Sequence, residues 1–284
     1  KGEALICRAY SHFVLANMFC MPYNPATAGN CLGIPYMDHA ETDLNPRYER
    51  GTLQEVYEMI GKDIEAGIPL IDDTAYSVPK YHFNYKAACC FASRYYLFMQ
   101  DWDNAIKYAT MALTSNPSSL LRDYSAIAAL PNGTSRHQEY VNSASTANFL
   151  LQAATSNSGL LFDWYSTAGR YSHGKLQGIY ETVQPKKGGP WGSSVTFKAP
   201  HAVLASSGKY VLPRTWRVFQ YTDPVAGTGF NKAISVLFTS EEALLNRAEA
   251  YIMKMNEDPT ALDKALEDIN LYAANLFSAG FKSM

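Results

Sequence analysis

Trp164, Tyr165, Arg170, Tyr171, Tyr180, Trp191 and Trp216 crowd one stretch of the chain that is also rich in Ser, Gly and Pro. Flat apolar rings stack on pyranose faces, and Arg, amides or carboxylates satisfy the hydroxyls around them, so this mixture of residue types suits sugar recognition. Trp191 is favoured within it, because Gly189-Pro190-Trp191-Gly192 predicts a turn at the surface. The competing reading is that these rings anchor an irregular segment to a scaffold, since most aromatics serve packing. The candidate ligand-binding set is Trp191, Trp164, Tyr165, Arg170, Tyr171 and Trp216, with no catalytic member.

Catalytic chemistry finds little support elsewhere. His137 and His173 fall in polar stretches without a nucleophile or metal partner at working spacing, which predicts solvated side chains. Asp72-Asp73 and the pair Asp101 and Asp103 look like paired carboxylates, but each falls at a helix end or turn, where capping accounts for it. There is no G-x-S-x-G, no H-E-x-x-H and no phosphate-cradling glycine loop, so no enzyme is expected. Without a C-x-x-C pair or zinc-spaced His and Cys, neither a metal nor a cofactor is expected. The five cysteines, Cys7, Cys20, Cys31, Cys89 and Cys90, cannot all pair and read as small buried apolar residues, Cys20 with Cys31 being the one bridge worth checking.

Composition narrows the partners. A chain of 284 residues that is 47% apolar can bury a large core as one long domain or two. Its net charge of -2 and pI near 6.3 offer no basic field to nucleic acid. The apolar stretch from Leu5 to Met21 is interrupted by Arg8, Ser11, His12 and Asn17, so it is not expected to span a membrane. It also lacks the flank and cleavage site of a signal peptide, and the chain is therefore expected to start at an interior point of a longer protein.

The elements that must position the aromatic stretch are helical hairpins. From Lys86 to Pro117 the series Cys89, Ala92, Ser93, Tyr96, Ala105, Ala109, Ala112 and Pro117 has the spacing of a tetratricopeptide unit, and Asp101 is placed to cap its second helix. An ordinary antiparallel helix pair is the plainer alternative. Glu3-Ala4-Leu5-Ile6-Cys7-Arg8-Ala9 returns as Glu242-Ala243-Leu244-Leu245-Asn246-Arg247-Ala248, which predicts stacked equivalent units, chance similarity of two amphipathic helices being the alternative. Thr52 and Glu55 form a capping box ahead of an apolar stripe at Leu53, Val56, Tyr57, Ile60 and Ile64, on a helix expected to pair with residues 2–19. Residues 20–51 are too rich in Pro and Gly for a helix and predict a functional or lid-like connection. The expected fold is mostly α, with tetratricopeptide-like helical hairpins at about 2–68, 84–117 and 240–276 and a loop-rich insertion at about 118–238 containing minor β, all in one domain over 1–284. Within the insertion a short helix is expected at 120–130, and strands at 149–154 and 217–221.

Taken together these segments resemble the SusD/RagB family of surface glycan-binding lipoproteins. Glu3, Ala4, Arg8, Ala9 and Phe13 resemble its E-A-x-x-x-R-A-x-x-x-F helix, and Arg50, Thr52, Val56, Tyr57, Ile60 and Asp63 its R-x-T-x-x-x-V-Y-x-x-I-x-x-D helix. Lys86, Ala87, Ala92, Arg94, Leu97, Asp101 and Ala105 are similar to the central repeat, and Glu242, Leu245, Ala248, Glu249 and Ala250 to the E-x-x-L-x-x-A-E-A helix. Cys20 departs where glycine is usual, and Thr239 where a basic residue often stands. The resemblance implies four tetratricopeptide-like units and a protein on the outer face of the outer membrane. It also implies non-catalytic binding of an oligosaccharide, delivery to a SusC-like TonB-dependent transporter, and an N-terminal lipid anchor not present in this chain. The alternative function is a tetratricopeptide-type protein-protein interaction module.

Overall fold

A computed structural model describes residues 1–158, 173–174, 198, 202–204, 209–211, 214–277 and 283–284. Its described helices are α1 (Gly2–Phe19), α2 (Leu53–Gly67), α3 (Tyr85–Met99), α4 (Trp102–Leu113), α5 (Tyr124–Ala129), α6 (Gly133–Tyr140), α7 (Ser240–Lys254) and α8 (Ala261–Leu276). The described strands are β1 (Asn148–Thr155), β2 (His173–Gly174), β3 (Ala202–Leu204), β4 (Lys209–Val211), β5 (Thr215–Asp223) and β6 (Thr228–Thr239). The mostly α fold built on helical hairpins is as expected.

Three antiparallel pairs, α1 with α2, α3 with α4 and α7 with α8, carry the scaffold, and α4 packs in turn on α7. Small residues set their closeness. A Cβ on Gly2 would lie 2.7 Å from the Leu70 carbonyl carbon, and one on Gly67 would lie 2.9 Å from Ile6 Cδ1, so glycine is what lets α1 and the end of α2 meet. The capping box forms as read: Thr52 Oγ1 accepts from the Glu55 amide, and Glu55 accepts from the Thr52 amide. Gln100 takes the left-handed conformation (φ 62°) that closes α3, and Asp101 Oδ1 caps α4 by accepting from the Asn104 amide at 3.1 Å. Across this hairpin Tyr96 and Tyr108 stack at 5.3 Å over the buried Ala92, Ala105 and Ala109.

The repeated heptapeptide performs the same task twice. Arg8 on α1 makes a two-pronged ion pair with Asp63 on α2, Nε and Nη2 both at 2.6 Å, and Arg247 on α7 does so with Asp268 on α8 at 2.8 and 2.7 Å. Both carboxylates are buried, at 6% and 5% exposure, and both arginines are held above their usual pKa range with those hydrogen bonds among the causes. Each hairpin is thus locked by a bidentate guanidinium-carboxylate pair at the equivalent helix position. Asp63 also accepts from Tyr36 Oη at 2.6 Å, and His12 Nε2 accepts from the Met37 amide at 2.8 Å, so the connection between α1 and α2 is tied to the first hairpin at Tyr36 and Met37.

The region after α4 is more regular than its composition suggests. A 3-10 turn at Pro117–Leu120 leads into α5, inside the expected 120–130 segment. The strands expected near 149–154 and 217–221 are β1 and β5, and with the twelve-residue β6 they form an antiparallel sheet in the order β1-β6-β5. A second sheet has the order β2-β4-β3. Phe238 at the end of β6 enters the helical core, where Tyr10 meets Phe83, Phe91 and Phe238 at 5.3 to 5.6 Å. Arg94 pairs with Glu242 at 2.6 Å and lies 4.3 Å from the Phe238 ring centroid, joining α3, α7 and the sheet.

The reading of all the cysteines as buried needs correction. Cys89 and Cys90 are buried, but Cys7 is exposed and Cys20 and Cys31 are half-buried; all are free, so Cys20 and Cys31 do not form a bridge. The difference is one of position: Cys89 and Cys90 lie in the packed centre of α3, whereas Cys7 lines an open cleft. Burial pushes the Cys89 thiol up to about 12, which makes it unreactive.

Candidate functional site

Trp216 is the one member of the sequence-named set that falls among the described residues; Trp164, Tyr165, Arg170, Tyr171 and Trp191 lie outside them. It is half-buried on β5, directly opposite Ile234 of β6. The strand beneath it is fixed from behind. His137 on α6 donates from Nδ1 to the Thr215 carbonyl at 2.7 Å, and is 3% exposed. This corrects the expectation of a solvated loop histidine: α6 is a short polar helix whose burial comes from packing against β5, which its own sequence does not reveal.

Trp216 and Ile234 form one wall of an open cleft of about 520 Å³ whose other walls are α6, the connection from α6 to β1, and Tyr81. Gln138, Glu139, Asn142, Ser135 and Ser143 bring amides, a carboxylate and hydroxyls to it. Asn142 Nδ2 donates to Glu139 Oε2 at 3.1 Å, which fixes both groups, while Gln138 is exposed and its amide has no partner among the described residues.

Tyr81 ends a 3-10 turn (Pro79–Tyr81) held on both sides. Lys80 Nζ donates to the Ser145 carbonyl, and Asn84 Nδ2 donates to the carbonyls of Pro79 at 3.1 Å and Phe149 at 2.6 Å. These bonds pin the turn, yet Tyr81 is 41% exposed, with neither a hydrogen bond to its hydroxyl nor a ring partner among the described residues. Trp216 is half-buried, and its indole has no hydrogen bond or ring partner among the described residues. Contrast Tyr57, Tyr95 and Tyr96, which are buried and whose hydroxyls bond Asn17, the Tyr57 carbonyl and Glu65. Two rings with no partner among the described residues thus stand beside one cleft.

Tyr81 also lines a second open cleft, of about 490 Å³, between α1, the turn before α3, and β1. Glu3 organises its polar end: its carboxylate accepts from Tyr76 Oη at 3.1 Å, His82 Nδ1 at 3.0 Å and the Phe83 amide at 3.2 Å. Tyr76 and His82 stack at 4.2 Å, and burial together with Glu3 pushes the Tyr76 hydroxyl up to about 12. Leu150, Leu151, Gln152 and Ala153 of β1 supply the opposite side.

The aromatic reading therefore locates Trp216 but misses Tyr81 and the amides of α6. Tyr81 carries the same signal that favoured Trp191, an aromatic beside a turn-forming proline, in Pro79-Lys80-Tyr81. Gln138 and Asn142 carry no signal of their own; only the fold brings them to Trp216.

Among the described residues no group of three or more His, Cys, Asp or Glu could hold a metal ion, and no helix is long and apolar enough to cross a membrane. A SusD-like family model, described as "Starch-binding associating with outer membrane", matches residues 1–97. A SusD superfamily protein from Bacteroides vulgatus is similar in structure, with a TM-score of 0.62 and 20% identity over 97% of this chain and 58% of its own. A SusD-like carbohydrate binding protein from the same organism has a TM-score of 0.62 and 19% identity over 100% and 55%. A laminarin binding SusD-like protein has a TM-score of 0.51 and 15% identity over 96% and 68%. The chain thus spans between half and two thirds of the length of the first two, and comparison with curated proteins returns no match. Over its first 97 residues this chain is similar to the SusD-like family model, and along its length its fold is similar to that of SusD-like structures.

Proposed function

We propose that this chain belongs to a non-catalytic cell-surface protein that holds an oligosaccharide in the cleft between Tyr81 and Trp216 for delivery to a TonB-dependent transporter. The observation that carries the reading is the pair of aromatic rings, without a partner among the described residues, that line one open cleft beside the amides of Gln138 and Asn142. Rings stack on sugar faces and amides meet hydroxyls, which is the chemistry a glycan demands. Hydrolysis would need two carboxylates about 5–10 Å apart across the bond, whereas the described lining of this cleft has one, Glu139. The family description and the carbohydrate-binding relatives support the ligand class and an association with the outer membrane. A lipid anchor and a SusC-like partner belong to the same proposal, by analogy with the family. The tie of the α1–α2 connection to the first hairpin at Tyr36 and Met37 supports this reading over a bare peptide-binding repeat.

Affinity electrophoresis of the chain through gels containing starch, laminarin and other polysaccharides tests it. Retardation by at least one polysaccharide, weakened in Trp216→Ala, is expected. No retardation by any of them would overturn the glycan reading.

A further inference from the structure

The two clefts are neighbours on one surface. Ala153 lines the second cleft and stands directly opposite Ile234, which lines the first; Ile234 in turn stands opposite Trp216. Directly paired residues of an antiparallel sheet point to the same face, so Ala153, Ile234 and Trp216 form one cross-strand row, with each step about 5 Å. Tyr81 lines both clefts and stands at their boundary. Each cleft alone is within the size range of about 300–1,000 Å³ that encloses a small ligand. Each carries one carboxylate, Glu139 in the first and Glu3, hydrogen-bonded to His82, in the second, and neither lining includes a Lys or Arg among the described residues.

We propose that the two clefts are consecutive subsites for a single extended ligand, a neutral oligosaccharide that stacks on Tyr81 and reaches from Trp216 to the pocket of Glu3 and His82. This rests on the glycan reading above and adds to it a length requirement and a charge preference. The row Ala153-Ile234-Trp216 provides a floor shared by both halves, and Tyr81 presents a ring to a ligand on either side. The carboxylates of Glu139 and Glu3 accept from sugar hydroxyls but repel a uronate or sulfate, with no Lys or Arg in the described lining to neutralise it.

Calorimetry of the intact chain against malto-oligosaccharides and laminari-oligosaccharides, from disaccharide to octasaccharide, tests the inference, with oligogalacturonates as the acidic probe. Affinity is expected to rise about tenfold or more once the ligand is long enough to occupy both clefts. Ala153→Arg, at an exposed position of β1, fills the second cleft and is expected to remove that rise while leaving short ligands unaffected. His82→Ala is expected to act in the same direction, and Tyr81→Ala to weaken every length. Length-independent binding that is indifferent to Ala153→Arg overturns the two-cleft inference and leaves the glycan reading standing. Oligogalacturonate binding as tight as that of the neutral series overturns the charge preference. Absence of binding by both neutral series at every length overturns the inference, and the polysaccharide gels then decide whether the glycan reading falls with it.

Discussion

Asp268→Ala removes one partner of a buried ion pair and leaves the other in place. Arg247 makes two hydrogen bonds to Asp268, at 2.8 and 2.7 Å, and a longer one to Thr110 Oγ1 at 3.3 Å, and its side chain is 13% exposed, so little water reaches its guanidinium when Asp268 is gone. Stranding a buried charge in this way costs about 3–5 kcal/mol, against a typical total domain stability of about 5–15 kcal/mol. Replacing both partners by leucine removes the stranded charge together with the pair, and should cost clearly less than Asp268→Ala alone. The first hairpin offers an internal control. Arg8 is 29% exposed and also donates to the Asp38 carbonyl at 2.8 Å, so its guanidinium recovers some solvation in Asp63→Ala. That variant should fall toward the lower end of the range for the ion pair, but it also frees Tyr36 and should expose residues 36–38 to protease. Urea unfolding followed by circular dichroism and by fluorescence, with coincident transitions, gives the comparison. An Asp268→Ala variant within about 1 kcal/mol of the parent, or a double leucine variant no better than the single, would refute the reasoning.

Three further outcomes are expected. Lys80 is half-buried without a carboxylate in ion-pair reach among the described residues, and burial, then Lys86 and Arg122, lower its amine to about 8. The native state therefore binds fewer protons than the unfolded chain between about pH 8 and 10.5, so the penalty is complete below 8 and disappears as pH rises through this window. Urea midpoints of the parent minus those of Lys80→Met should rise from pH 8 to 10.5, and a flat difference would count against it. A Cβ on Gly61 would lie 2.6 Å from the Tyr95 hydroxyl, which donates to the Tyr57 carbonyl at 2.7 Å; Gly61→Ala should therefore lose about 1–3 kcal/mol, and Tyr95→Phe in the same background should recover part of it. Glu241 and Arg122 are buried at 7% and 2% exposure and join α7 to the segment before α5, so Glu241→Ala should lower the melting temperature more than the exposed Glu249→Ala does.

The hairpins were legible because their signals are local. Thr52 with Glu55, the small residues along α3 and α4, and the repeated Glu-Ala-Leu-x-x-Arg-Ala all act within a few turns of helix. What the repeat concealed was its purpose: the partner of Arg8 is 55 residues away and that of Arg247 only 21, and no spacing rule links them. The site was less legible for the same reason. Its polar half comes from α6, whose Gly-Thr-Ser-Arg-His-Gln-Glu-Tyr sequence has no apolar stripe and folds because β5 covers His137. The sheet that supports Trp216 is mostly half-exposed along β6, so the alternation that would have announced a twelve-residue strand is blurred. Trp216 could be named as a ring among rings, but its pairing with Tyr81 required β1 to carry the turn at Pro79 toward β5.

The central claim is that Tyr81 and Trp216 together hold a sugar. Titration calorimetry of the intact chain and of a Tyr81→Ala/Trp216→Ala variant, using oligosaccharides of whichever polysaccharide retards the parent most, tests it most directly. Loss of affinity by about tenfold or more, with thermal unfolding unchanged, is the predicted result. Equal affinity of parent and variant would contradict it.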